Sequence, residues 1–166
     1  MQPRIKNPIL LIPDLYKALM ALNGAVQKTG FSHQTQELVN MRVSQINGCG
    51  ACLEFHAREL AKLGETNERL LTLAGWRETT YFTPAERAAL AFAEAATRLA
   101  DRGEAVSDEV WAEAARHYSE TELAALVVQV GMINLWNRLN VTTGQVAGKL
   151  SEAEVKAAQA AATNAA

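Results

Sequence analysis

From Pro8 onward apolar residues recur every three or four positions, and no stretch alternates convincingly with a period of two. That spacing predicts helices and no sheet. A first helix is expected over 13–29, stopping near Gly30. A second covers 33–45, with Ser32 as N-cap and Leu38, Met41 and Ile46 among its apolar positions. Asn47-Gly48 breaks it, since both residues tolerate positive φ. A third runs over 49–63 and closes on Gly64, and a short fourth covers 67–74. Thr83-Pro84-Ala85-Glu86 combines an N-cap, a proline at the first helical position and a capping-box glutamate, opening a helix to about residue 100. Ser107 caps a helix to 117. Ser119 and Glu122 form a second capping box, opening a helix over 120–139. This last helix is apolar almost all round (Leu123, Leu126, Val127, Val130, Ile133, Leu135, Trp136), the mark of a central buried helix. The expected architecture is one all-α domain over residues 1–150, followed by an Ala-rich tail, 151–166, with hardly any large apolar residue.

Composition narrows the partners. The chain has 166 residues, 49% hydrophobic and 20% charged, with a net charge of −2. That length suits one domain with a proper core. No Lys/Arg cluster provides a footprint for nucleic acid or a membrane surface. No apolar run is long enough to span a bilayer. The opening, "MQPRIKNPILLIPDLYKAL", has a short apolar patch interrupted at Pro13 and Asp14, with no small-residue cleavage site after it. A cytoplasmic protein is expected. Two cysteines in a reducing compartment point to redox or metal chemistry rather than to a structural staple.

Those cysteines lie in "INGCGACLEFHARELAKLG". On a helix, Cys49, Cys52 and His56 fall within a sector of roughly 60°, so the imidazole can reach the second thiol across one turn. The first thiol falls in the helix's first turn, where unpaired N–H groups and the dipole stabilise an anion. A helix N-terminus and a neighbouring imidazolium both lower a thiol's pKa, and a thiolate can close a disulfide with a partner three residues away. Three other readings compete. Both cysteines can be small core residues. A zinc site can be built from Cys49, Cys52 and His56 with Glu37 as fourth ligand, although structural zinc usually uses two separate knuckles. Covalent haem needs the histidine directly after the second cysteine, where Leu53 stands, and is excluded.

The segments "ELVNMRVSQINGCGACLEFHARELAKLG" and "RLLTLAGWRETTYFTPAERAALAFAEAAT" resemble the AhpD-like alkyl hydroperoxidase branch of the carboxymuconolactone decarboxylase family, over roughly residues 37–139. The marker is a Glu, eleven residues, Cys-x-x-Cys, three residues and a His, met by Glu37, Cys49, Cys52 and His56. The resemblance implies an all-helical homotrimer or homohexamer that reduces organic hydroperoxides. By the same resemblance Cys52 matches the peroxide-attacking thiol and Cys49 the thiol that resolves its sulfenic acid as a disulfide. Glu37 and His56 match the proton relay. Ala51 stands where the family's best-studied type carries a further histidine, which leaves a shorter relay from Glu37 through His56 and water to Cys52. A lipoyl-type or thioredoxin-like dithiol protein is the implied reductant. No glycine motif for a dinucleotide is present, and no cofactor is expected. The alternatives are a lactone decarboxylase, the family's other activity, and a non-catalytic redox- or metal-responsive oligomer.

Peroxide attack must ionise one thiol and protonate a departing alkoxide, and the sulfenic acid needs a second thiol nearby. Glu37 reaches the cysteines only if the tight turn at Asn47-Gly48 folds its helix back as a hairpin. His33, four residues before Glu37, is placed to orient that carboxylate. Glu59 shares the cysteine stripe and reads as a solvated glutamate. Gln129, Asn134, Asn137, Arg138 and Asn140 break an apolar helix and are expected to serve structure, capping its end or bridging subunits, with lining of the substrate pocket as the alternative. Trp76, Tyr81 and Phe82 are expected in the core, and His117 has no assigned role.

Overall fold

A computed structural model describes residues 1–12, 14–101 and 106–148; the Ala-rich tail, 151–166, lies outside them. The described chain is all-α. Its helices are α1 (Pro8–Leu11), α2 (Leu15–Gln27), α3 (His33–Asn47), α4 (Gly50–Lys62), α5 (Asn67–Thr72), α6 (Pro84–Thr97), α7 (Asp108–His117) and α8 (Glu120–Thr143), with 3-10 turns at Leu73–Glu78 and Leu99–Asp101. The helix expected over 13–29 is α2, and the short α1 before it was not expected. The caps follow the sequence: Ser32, Thr83, Ser107 and Ser119 each accept a backbone N–H from three residues on, and Thr83/Glu86 and Ser119/Glu122 close both capping boxes.

α3 organises the packing. Residues 35–40 are buried without interruption, because α3 is covered by α4, α6 and α8 at once. Val39 and Val43 join a cluster with Phe92, Leu126, Val130 and Ile133, while Leu38 joins a second with Leu60, Leu73, Trp76, Phe82 and Leu90. One helix thus ties both halves of the core together. Trp76 and Phe82 lie in the core as expected, but Tyr81 is half-exposed.

α8 is longer than expected by one turn and ends on Gly144 in the left-handed conformation. It buries a continuous face against α3, α6 and α2. Val127, Val128, Leu135 and Val141 nevertheless face outward, so its nearly uniform apolarity exceeds what one chain covers. The N-terminal arm is tied to the end of α8: the Arg4 N–H donates to the Thr143 carbonyl at 2.8 Å, and Gln145 Nε2 donates to the Ile5 carbonyl at 3.2 Å. Among the described residues no helix is long and apolar enough to cross a membrane.

Candidate active site

The turn between α3 and α4 builds the site. Gly48 adopts φ 68°, ψ 30°, a conformation that strains any residue with a Cβ. Its neighbour Asn47 stays helical, so only one of the two expected turn residues uses positive φ. The Cys49 N–H then reaches back to the Ser44 carbonyl at 3.0 Å, closing the helix end. This reversal delivers Cys49 as the N-cap of α4, one residue before the first helical position expected for it. Its sulfur accepts the Cys52 N–H at 3.3 Å, doing the work that a serine oxygen does at an ordinary cap. Cys49 and Cys52 are joined as a disulfide, with Cα atoms 5.3 Å apart and both residues buried.

The hairpin also brings Glu37 to His56. Glu37 Oε2 lies 2.6 Å from His56 Nδ1, and both side chains are buried. An ionised carboxylate only accepts, so Nδ1 carries the proton in this pair, and in neutral imidazole Nε2 is left with its lone pair. His56 sits one turn after Cys52 on the same helix, with Nε2 as its free basic atom. Asn40 Nδ2 donates to the other carboxylate oxygen of Glu37 at 3.2 Å, and Gln129 Nε2 of α8 donates to Asn40 Oδ1 at 2.7 Å. The carboxylate is thus held on both oxygens. His33 Nε2 stands 3.8 Å from Glu37 Oε1, within ion-pair reach but beyond a hydrogen bond, and is half-exposed. Glu59 pairs with Lys62 at 2.6 Å. His117 Nε2 stands 3.2 Å from Glu113.

The amides of α8 do more than cap it. Asn47 Nδ2 donates to Asn134 Oδ1 and to Asn137 Oδ1, both at 2.9 Å, and Asn137 Nδ2 donates to Ser44 Oγ at 3.0 Å. These bonds lock the last turn of α3, and with it the position of Cys49. Arg138 donates to the carbonyl and side-chain oxygens of Asn134. Asn140 departs from the structural role expected of it: its Nδ2 donates to Cys52 Sγ at 3.3 Å. Sequence spacing missed it, because a separation of 88 positions between the partners leaves no local signal. The available clue was a polar residue on an apolar helix face, which has to find a partner. Gly48, Cys49, Gly50, Asn140 and Gly144 line a cavity of about 180 Å³ beside the disulfide.

Relatives share this arrangement of chain. The protein YdfG of Bacillus subtilis, itself uncharacterised, is 33% identical over 134 residues, covering 81% of this chain and 90% of its own. A solved structure from Agrobacterium tumefaciens, a protein of unknown function related by its description to the antioxidant defence protein AhpD, superposes with a TM-score of 0.81 at 33% identity, covering 88% of this chain and 98% of that one. Alkyl hydroperoxide reductase AhpD of Hyphomonas neptunium is 46% identical over 48 residues, 29% of this chain and 24% of its own. The profile of the carboxymuconolactone decarboxylase family matches residues 13–95, which takes in α3, the turn and α4. With an AhpD-like helical bundle and a family profile that spans its Cys-x-x-Cys hairpin, the chain belongs to the carboxymuconolactone decarboxylase family.

Proposed function

We propose that the protein is a thiol-dependent peroxidase acting on organic hydroperoxides. The observation that carries the reading is the 2.6 Å Glu37–His56 pair, set one turn behind a Cys49–Cys52 disulfide on the same helix. In the reduced protein His56 Nε2 takes the Cys52 proton. The Cys52 thiolate then attacks the distal peroxide oxygen: an S–O bond forms, the O–O bond breaks, and the alkoxide leaves with the proton returned by His56. Glu37 stabilises the imidazolium that exists between those two transfers. Cys49 displaces water from the Cys52 sulfenic acid, closing the disulfide before further oxidation. An external dithiol protein, lipoyl- or thioredoxin-like, supplies two electrons and two protons to reopen it. A lactone decarboxylase would leave the thiol pair without work.

We propose a homotrimer or homohexamer as the working form, supported by the outward apolar residues of α8 and by exposed Leu10, Leu11 and Ile12 of the N-terminal arm. The decisive experiment follows an organic hydroperoxide with dihydrolipoamide as reductant. Turnover is expected in the native chain and lost in Cys52→Ser. No turnover in the native chain with any dithiol, or full turnover in Cys52→Ser, rejects the peroxidase.

A further inference from the structure

Two sulfurs three residues apart at one helix N-terminus compete to be the anion. Geometry within α4 favours Cys49. Its sulfur occupies the N-cap and receives the Cys52 N–H, where unpaired donors and the helix dipole support a negative charge. Taken alone, α4 would ionise the thiol that the peroxidase reading, on which this inference rests, assigns to resolution rather than attack.

Cys52 has a donor from outside the hairpin. Asn140, buried on α8, points Nδ2 at Cys52 Sγ. Among the described residues its Oδ1 accepts no hydrogen bond, so the sulfur is the one partner that orients the carboxamide. A buried amide left half-satisfied costs stability, and a charged acceptor on its free donor end recovers part of that. A neutral N–H donated to a thiolate is a charge-assisted bond and favours the ionised form without giving up its own proton.

We propose that Asn140 selects Cys52 over Cys49 as the sulfur that ionises when the disulfide is reduced. Reduction by an external dithiol breaks the S–S bond and oxidises that dithiol to its own disulfide. Of the two protons that accompany the electrons, one stays on Cys49 and one passes to His56 Nε2, leaving Cys52 as thiolate under the amide of Asn140. The role belongs to an element far from the Cys-x-x-Cys segment, which is why that segment does not contain it.

The experiment reads each thiol separately. The reduced full-length protein is alkylated with iodoacetamide across a pH series, and modification of Cys49 and Cys52 is counted by peptide mass spectrometry. Cys52 is expected to react first in the native chain. Asn140→Ala should slow Cys52 about tenfold or more at neutral pH, equivalent to about one pKa unit, and leave Cys49 unchanged. Asn140→Asp keeps the shape, replaces the donor with an acidic group and covers the case in which the alanine variant does not fold; it should slow Cys52 at least as much. Asn140→His restores a ring N–H at the same distance from the backbone and should return Cys52 to within about threefold of native. An unchanged Cys52-to-Cys49 ratio in the alanine or aspartate variant, or equal slowing of both thiols, overturns the proposal. Hydroperoxide turnover measured on the same samples separates the two readings. Turnover with unselective alkylation retains the peroxidase and removes Asn140, whereas selective alkylation without turnover retains Asn140 and removes the peroxidase.

Discussion

Glu37 on α3 and Glu94 on α6 are both buried carboxylates that tie α3 to a neighbouring helix, and they are held in opposite ways. Glu94 receives Arg42 Nε at 2.6 Å and Trp76 Nε1 at 3.0 Å on one oxygen and Arg77 at 2.6 Å on the other. Burial pushes its pKa up, but the hydrogen bonds from Arg77, Trp76 and Arg42 outweigh this and hold it below the ordinary carboxyl range. Glu37 has a histidine on one oxygen and a neutral amide on the other. Permanent guanidinium partners fix a carboxylate as an anion and leave it nothing to exchange. A histidine partner can gain and lose a proton at physiological pH, and its carboxylate responds to each change. The first arrangement holds helices together, while the second can relay protons.

The largest expected effects break this contrast at the relay. His56→Ala and Glu37→Gln should each lower kcat/KM for an organic hydroperoxide by about 10²-fold or more, as loss of a general acid–base group does. Their melting temperatures should move by only a few degrees. A Glu37→Gln enzyme with native turnover would reduce the pair to packing.

At Glu94 the order reverses. Glu94→Ala strands Arg42 and the Trp76 indole, both largely buried, and should cost about 3 kcal/mol in unfolding free energy. Turnover per folded molecule should change far less than in Glu37→Gln. The pH dependence carries a definite sign. The folded pKa of Glu94 lies below its ordinary 4.5. Its stabilisation is therefore complete above the unfolded value and is lost as pH falls through the folded one. Urea titrations through the acid range should show a shallower decline in Glu94→Ala than in the native chain. An equally steep decline would move the acid sensitivity to other carboxylates.

An intermediate effect is expected at the lock on the hairpin. Asn137→Ala removes acceptor and donor at once, leaving the Asn47 amide with Asn134 alone and Ser44 Oγ without the Asn137 amide. The cost should be about 1–3 kcal/mol, with a smaller fall in turnover because Cys49 is less firmly placed. Stability unchanged in this variant would mean that water replaces the lost bonds.

Legibility in the sequence followed the range of the interaction. The caps at Ser32, Thr83, Ser107 and Ser119 are three-residue patterns, and each formed as read. The hairpin was legible for a similar reason: one glycine between two periodic segments dictates a reversal, although Glu37 itself stood out only through the family marker and would otherwise read as an exposed glutamate. The N-cap position of Cys49 was off by one residue, since no spacing rule says where a left-handed turn hands over to the next helix. The Asn140–Cys52 contact depends on how α8 lies across the hairpin, a matter of packing between elements that periodicity does not encode. Val127 and Leu135 were read as buried because apolarity reports what must leave water, and not whether the same chain or another one covers it.

The smallest effect is expected at His33, and it bears directly on what separates the two carboxylates. Its Nε2 lies 3.8 Å from Glu37 Oε1 and its side chain is 50% exposed, so water screens the pair. His33→Ala should lower turnover by about twofold, a size typical of exposed ion pairs. Paired steady-state rates of His33→Ala and the native chain check this. A loss as deep as that of Glu37→Gln would put His33 inside the relay and give it the part of the histidine absent at Ala51.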